Sequence, residues 1–168
     1  MSRKYKFRNP EAVYFVTFTT VNWIDVFTRP IYKEIIVDSL NYCIKNKGLS
    51  VYAWVIMRNH VHLVIESRNA ALEDIMRDLK KHTSKTIIKA IEENLQESRK
   101  AWMLWMFERA GKKNGNSSKH QFWQQHNQPI ELTVKAFDID TLKSPSLCFV
   151  HNYPFTSNNQ SWMKWGVD

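Results

Sequence analysis

Two histidines separated by one residue, His60 and His62, are the side chains in this sequence best suited to chemistry. They stand in a stretch of β-branched and apolar residues, and on a β-strand residues i and i+2 point to the same face. Both imidazoles can therefore converge on one divalent cation, while Val61 points the opposite way into the core. A cation held there could polarise a phosphoryl oxygen as a Lewis acid. The alternative is a pair of surface histidines without a ligand.

The composition of the 168-residue chain narrows the classes of partner. Twenty-four Lys and Arg residues exceed sixteen Asp and Glu residues, which gives a net charge of +8. This surplus favours a polyanion such as nucleic acid, because each neutralised phosphate releases counterions. A solvated basic surface is the alternative. With only four glycines, the chain has no glycine-rich loop of the kind that binds nucleotide phosphates.

The cysteines and the N-terminal residues indicate the cellular compartment in which the protein is expected. Cys43 and Cys148 are far apart and form no CxxC motif, which argues against a disulfide framework or a zinc–thiolate site. The basic N-terminus runs into no apolar segment of a secretory signal, and no apolar stretch is long enough to span a bilayer. These features predict a cytoplasmic protein.

Alternating patterns predict the strands that position the histidines. Residues 13–22 are rich in aromatic and β-branched side chains, with Tyr14, Val16, Phe18 and Thr20 on one face. Residues 49–57 and 60–67 predict two further strands, and Arg58-Asn59 predicts a tight hairpin turn between them. The histidine pair would then open the second strand of the hairpin.

Helical spacing predicts two helices that flank this hairpin. The first runs from Pro30, with Thr28 as a cap, to Lys47, and Gly48 ends it. The second covers 71–96. Its apolar stripe consists of Leu72, Ile75, Met76, Leu79, Thr83, Ile87 and Ile91.

The elements after the second helix complete the predicted architecture. Residues 92–106 either end that helix or begin a short further one, and 111–119 form a basic, turn-rich loop. Residues 121–132 are partly strand-like, and Pro129 places them at an edge or an end of the sheet. The order strand, helix, strand, strand, helix, strand indicates an α+β, ferredoxin-like split βαβ sandwich, an antiparallel sheet with helices on one face. We expect a single domain over 1–168.

Basic and aromatic residues supply candidate DNA contacts. The predicted phosphate contacts are Arg58, Lys112, Lys113 and Lys119, with a basic arm at residues 3–8. Arg58 is the candidate nearest the histidine pair. Trp105 and Trp123 could stack on bases, but most tryptophans in a domain of this size are buried, and we expect both in the core.

The segment WVIMRNHVHLV, residues 54–64, resembles the signature of the HUH single-stranded DNA transposases. The resemblance is to the branch of REP-associated tyrosine transposases in particular. Residues 14–19 (YFVTFT) and 122–124 (FWQ) are also similar to that branch. The resemblance covers roughly residues 8–135.

The resemblance implies a ferredoxin-like homodimer in which His60 and His62 are the metal ligands, for Mg²⁺ or Mn²⁺. It also implies that the substrate is single-stranded DNA, often folded as a hairpin. A helix-borne tyrosine of the family attacks the phosphate, which forms a 5′-phosphotyrosine intermediate and releases a 3′-hydroxyl. Covalent catalysis of this kind divides one difficult transfer into two reversible steps.

The C-terminal tail, residues 136–168, departs from the family pattern. The best match to the nucleophile motif places Phe149 at the tyrosine position and Tyr153 one helical turn later. Because Phe has no hydroxyl, three explanations stay open: Tyr153 is a displaced nucleophile, the protein binds DNA without cutting it, or the tyrosine lies elsewhere. Without a tyrosine, the histidine pair would also suit phosphoester hydrolysis by an activated water. Candidates for a third metal ligand are His126, His151 and Asn152.

Overall fold

A computed structural model describes residues 7–68, 70–114, 119–125 and 129–132 of the chain. These residues form four strands, three α-helices and one 3-10 turn. The strands are β1 (Val13–Thr19), β2 (Leu49–Ile56), β3 (His60–Ser67) and β4 (Ile130–Leu132). The helices are α1 (Pro30–Lys47), α2 (Leu72–Glu93) and α3 (Lys100–Lys113), and the 3-10 turn is Val21–Trp23.

The strands form one sheet in the order β2-β3-β1-β4, and all neighbouring strands are antiparallel. Since β3 lies between β1 and β2, α1 crosses over an intervening strand, which defines the split βαβ unit. β4 pairs with the other side of β1. The predicted ferredoxin-like α+β fold is therefore confirmed, with α3 as an additional helix before β4.

Local sequence explains the bounds of α1. Pro30 occupies the first turn, where its missing N–H removes no helical hydrogen bond. Gly48 ends the helix in a left-handed conformation with φ of 69°, and its N–H donates to the carbonyl of Cys43. Glycine adopts this conformation without a Cβ penalty, so the predicted end is confirmed. The N-cap is Arg29 rather than the expected Thr28.

The hydrophobic core lies between one face of the sheet and helices α1 and α2. On β1 and β3 the core-facing residues alternate with residues of the opposite face. The paired core residues of the two strands are Tyr14 and Ile65, Val16 and Leu63, and Phe18 and Val61. The predicted apolar stripe of α2 is buried along its length. Both histidines therefore lie on the face of β3 that points away from this core.

After α2, the structure confirms the alternative of a further helix and corrects the predicted bounds. That helix ends at Glu93, and a separate helix α3 begins at Lys100. Gly111, Lys112 and Lys113, which we placed in a loop, form the last turn of α3. Gly111 is buried, and positive charges in a last helical turn interact favourably with the helix dipole.

Two further predictions about β1 and the tryptophans are wrong. The strand predicted over 13–22 ends at Thr19, because Asn22 and Trp23 turn the backbone into the left-handed region, with φ of 54° and 55°. Trp105 is 52% exposed instead of buried, whereas Trp123 is in the core as expected. None of the helices in the described part of the chain has the length and hydropathy needed to cross a membrane.

Candidate metal centre

His60 and His62 begin the central strand β3, directly after the hairpin turn. Their ring centroids are 4.6 Å apart and the ring planes meet at 78°. β3 pairs with a strand on each side, so that His62 lies beside Thr17 of β1 and Val55 of β2. Because backbone hydrogen bonds to β1 and β2 hold β3 on both sides, the backbone that carries the two imidazoles is rigid.

The ring of His62 is fixed by two contacts from β1. Its Nδ1 lies 2.6 Å from the hydroxyl oxygen of Thr17, and its face stacks on Phe15 at a centroid distance of 5.3 Å. When Nδ1–H donates to Thr17, the lone pair of Nε2 is free for a cation. Burial lowers the pKa of His62 below its usual value, and the nearby His60 lowers it further. The ring thus stays neutral at neutral pH, as a metal ligand must.

A polar chain fixes the ring of His60. Its Nδ1 lies 2.7 Å from Oδ1 of Asn59, and Nδ2 of Asn59 donates to the Asp25 carboxylate at 2.8 Å and to the carbonyl of Trp23 at 3.2 Å. Because the amide nitrogen faces a carboxylate, Oδ1 is the acceptor for Nδ1–H of His60. The proton is therefore assigned to Nδ1, and Nε2 carries a free lone pair.

The loop that carries Asp25 is held in place by Arg99, which lies between α2 and α3 in the chain. Arg99 donates to the Asp25 carbonyl at 2.8 Å and to the hydroxyl of Thr28 at 3.0 Å. Arg99 and Arg29 both pair with Glu97, whose carboxylate side chain is fully buried. Burial raises the pKa of Glu97, but hydrogen bonds and charges from Arg99 and Arg29 outweigh that effect, and the net pKa is lowered. The carboxylate stays ionised and anchors the loop.

The donor set fits a divalent cation only in part. Two Nε2 atoms are available, whereas the described ranges contain no cluster of three His, Cys, Asp or Glu side chains that could enclose an ion. The candidates for a third ligand, His126, His151 and Asn152, all lie outside those ranges. Water and substrate oxygen can complete the coordination of a cation held by two protein ligands.

A comparison with protein-family models identifies the family to which this chain belongs. The model of the family described as "Transposase IS200 like" matches residues 10–109, which include β1, the hairpin, α2 and both histidines. The chain belongs to the IS200-like transposase family. A comparison with curated protein sequences gave no match.

Solved structures support the same fold for this IS200-like transposase. One is a REP-associated tyrosine transposase bound to a REP hairpin, with a TM-score of 0.51 and 12% identity over 79% of this chain. Our chain spans only 63% of that protein. A second is a candidate transposase from Deinococcus radiodurans, with a TM-score of 0.50, 14% identity, and coverage of 83% of this chain and 94% of that one. At these identities the likeness establishes the fold alone.

The predicted DNA contacts of the transposase fall in two places. Arg58 is exposed in the turn beside His60, and its carbonyl accepts the N–H of Phe27. Lys112 pairs with Glu108 at 2.9 Å, and the exposed Lys119 lies near the same carboxylate. Lys113 instead lines a cavity beside the 3-10 turn. Residues 3–6 of the basic arm, as well as Phe149 and Tyr153, lie outside the described residues.

Sequence reasoning missed the side chains that orient His60 and His62. Asn59 had been assigned only to a turn, and Asp25, Thr17 and Trp23 were not assigned a role. A polar residue directly before the histidine pair was a signal for Asn59, because metal-binding histidines usually donate their second N–H to an oxygen. The partner Asp25 gave no such signal, since it is 34 residues away in the chain.

Proposed function

We propose that this IS200-like transposase binds single-stranded or hairpin DNA and cleaves and rejoins it with the help of Mg²⁺ or Mn²⁺ held by His60 and His62. The observation that carries the proposal is the geometry of the histidine pair. Both Nδ1 atoms are within 2.7 Å of an oxygen, which leaves both Nε2 atoms for one cation. Such orientation of histidine ligands is typical of metal sites.

A cation bound there supplies Lewis-acid polarisation of a phosphoryl oxygen and orients the scissile phosphate. Of the two ions, the nitrogen ligands favour Mn²⁺, because Mg²⁺ is a hard cation that prefers oxygen. The protein itself contributes fixed ligand positions, and Arg58 lies in the adjacent turn as a phosphate contact. The net charge of +8 is suited to a polyanion.

The proposal also specifies that the DNA substrate is a hairpin and that the protein is a homodimer. A REP hairpin is the ligand of one structural neighbour, and the similar fold makes hairpin DNA the first substrate to test here. The homodimer follows from the family resemblance. Light scattering coupled to size-exclusion chromatography tests it, and a mass of about one chain, 20.0 kDa, would contradict it.

The nucleophile distinguishes two versions of the proposal. In the first, Tyr153 attacks the phosphate and forms the phosphotyrosine link, with its hydroxyl oxygen bonded to phosphorus and the 3′-oxygen leaving. In the second, the protein binds DNA without cutting it. The second version rests on Phe149, which stands at the family's tyrosine position and has no hydroxyl.

One assay separates these versions. The protein is incubated with a labelled single-stranded hairpin and Mn²⁺, and denaturation-resistant protein–DNA adducts are counted. An adduct that Tyr153→Phe abolishes supports the displaced nucleophile, and a gain of cleavage in Phe149→Tyr shows that the remaining site is intact. Binding without cleavage leaves the DNA-binding version. Cleavage without an adduct contradicts both and indicates an activated water.

A further inference from the structure

The 3-10 turn between β1 and α1 presents an exposed tryptophan. Trp23 is 61% exposed and has φ of 55°, next to Asn22 with φ of 54°. Two successive non-glycine residues in the left-handed region are unusual, and a bulky residue there is an outlier. Backbone strain of this kind persists only where surrounding contacts impose it, and it clusters at ligand sites.

Two side-chain hydrogen bonds, from Asn59 and Thr20, hold this turn beside the candidate metal centre. Nδ2 of Asn59 donates to the carbonyl of Trp23 at 3.2 Å, and the hydroxyl of Thr20 donates to the carbonyl of Ile24 at 2.9 Å. The indole ring stands edge-to-face with His60, at a centroid distance of 6.1 Å and an angle of 74°. Asn59 thus fixes His60 and Trp23 together, and a group beside the metal-held phosphate would meet the indole.

A cavity of about 700 Å³ borders the same turn at Val21 and Asn22. It lies between Asn22 and α3, and its polar lining combines cations and amides. These lining residues are Asn22, Arg109, Lys113, Asn114, Gln121, Gln124 and Gln125. Within the described residues, none of the lining side chains is acidic, and neither Arg109 nor Lys113 forms an ion pair.

We infer that Trp23 and this cavity form a subsite for unpaired nucleotides next to the scissile phosphate. The inference rests on the proposed function and names how its DNA strand is held. The indole stacks on one base, and Arg109 and Lys113 contact the phosphates that follow. The side-chain amide of Gln125, which also lines the cavity, faces the edge of a second base.

The chemistry of the surface favours single-stranded nucleic acid as the occupant. Base stacking on an exposed aromatic ring is available to an unpaired strand and not to the interior of a duplex. Arg109 contacts the ring of Trp105, but among the described residues neither Arg109 nor Lys113 has an acidic partner. Two such cations beside an amide group match alternating phosphates and base edges. A volume of about 700 Å³ is within the range of sites that enclose small organic groups such as a nucleotide.

The test measures binding without cleavage. Fluorescence anisotropy follows the full-length protein as it binds a fluorescein-labelled oligothymidylate strand in the presence of EDTA. We expect Trp23→Ala to weaken binding about tenfold and Trp23→Phe to stay within about threefold of the wild type. The matched control is Tyr42→Ala, an equally exposed aromatic at 60% on α1, which should bind as the wild type does.

A second arm tests the cavity. Replacing Arg109 and Lys113 together by Gln should reduce the slope of log affinity against log salt by about 0.7 for each lost phosphate contact. Replacing Lys45 and Lys89 by Gln changes the net charge equally and should leave the slope unchanged. Thermal melts of every variant verify that it is folded.

The outcomes separate this inference from the proposed function. A wild-type protein that fails to bind the strand, or Trp23→Ala binding as tightly as the wild type, overturns the subsite even if Mn²⁺-dependent cleavage is found. Tenfold weaker binding by Trp23→Ala in a protein that never cleaves DNA supports the nucleotide subsite and selects the version of the proposed function in which the protein binds DNA without cutting it. An unchanged salt slope in the Arg109 and Lys113 variant overturns the cavity as the phosphate path.

Discussion

Oδ1 of Asn59 lies 2.7 Å from Nδ1 of His60, while the amide nitrogen of Asn59 faces Asp25 at 2.8 Å. The amide therefore fixes which nitrogen of His60 carries the proton. The same side chain donates to the carbonyl of Trp23. One residue of the hairpin turn thus orients a candidate metal ligand and the strained turn beside it.

Asn59→Ala removes the acceptor that holds Nδ1–H of His60. We expect Mn²⁺ affinity to fall about 10- to 100-fold, as is usual when a partner of a histidine ligand is lost. Titration followed by the electron paramagnetic resonance of free Mn²⁺ measures it, and ¹⁵N NMR of His60 should show a mixture of tautomers. Asn46→Ala, an exposed amide on α1, is the control. A single Nδ1–H tautomer in Asn59→Ala would contradict the assigned role.

Thr17→Val tests the corresponding contact of His62. Valine keeps the shape of threonine but cannot accept Nδ1–H, so the ring loses its 2.6 Å hydrogen bond. We expect Mn²⁺ affinity to fall about tenfold, with the stacking on Phe15 still holding the ring in place. Thr86→Val, whose hydroxyl donates within α2, is the matched control. Equal Mn²⁺ affinities of Thr17→Val and Thr86→Val would show that Thr17 does not orient His62 for metal binding.

Trp23→Gly should raise stability while it removes the exposed ring. A left-handed backbone costs a residue with Cβ roughly 1–2 kcal/mol, and glycine avoids that cost but loses more entropy on folding. We expect the free energy of unfolding in urea to rise by up to about 1 kcal/mol. Trp102→Gly, at a half-exposed position inside α3, should lower the free energy of unfolding. Destabilisation by Trp23→Gly would show that the turn is not strained.

Lys80 predicts a pH dependence of stability. Its Nζ donates to the carbonyl of Gln124, and burial lowers its pKa to about 8. Between that value and the unfolded pKa of about 10.4, the unfolded chain binds more protons, so stability rises with pH. The penalty is fully present below about pH 8 and disappears as the pH rises toward about 10.

Lys80→Met isolates this effect from the other groups that titrate in the same range. The difference in free energy of unfolding between Lys80→Met and the wild type should shrink as the pH rises from about 8 to about 10. Lys81→Met, on the exposed side of α2, should show a constant difference. A constant difference for Lys80→Met as well would mean that Lys80 is solvated in the folded protein.

The sequence predicted those parts of the fold that periodicity encodes. The bounds of β3 were predicted without error, because alternation on a half-buried strand reports directly which side chains face the core. The apolar stripe of α2 was equally clear from the sequence. α3 was predicted only as one of two alternatives, because the exposed Trp102 and Trp105 interrupt its apolar pattern.

The candidate site was predictable only in part, for a different physical reason. His60 and His62 share a face whatever the rest of the chain does, so their spacing sufficed. The contact of Asn59 with Asp25 joins positions 34 residues apart and depends on the loop that Arg99 anchors. The left-handed turn at Trp23 contains no glycine that would have indicated it.

We propose that His60 and His62 together bind one divalent cation. Titration of Mn²⁺ into the wild type and into the variant with both histidines replaced by Ala tests it most directly, with His82→Ala as the control. We predict one Mn²⁺ per chain in the wild type and in His82→Ala, and an affinity at least about 100-fold lower in the double variant. Equal Mn²⁺ affinity of the double variant and the wild type would contradict the claim.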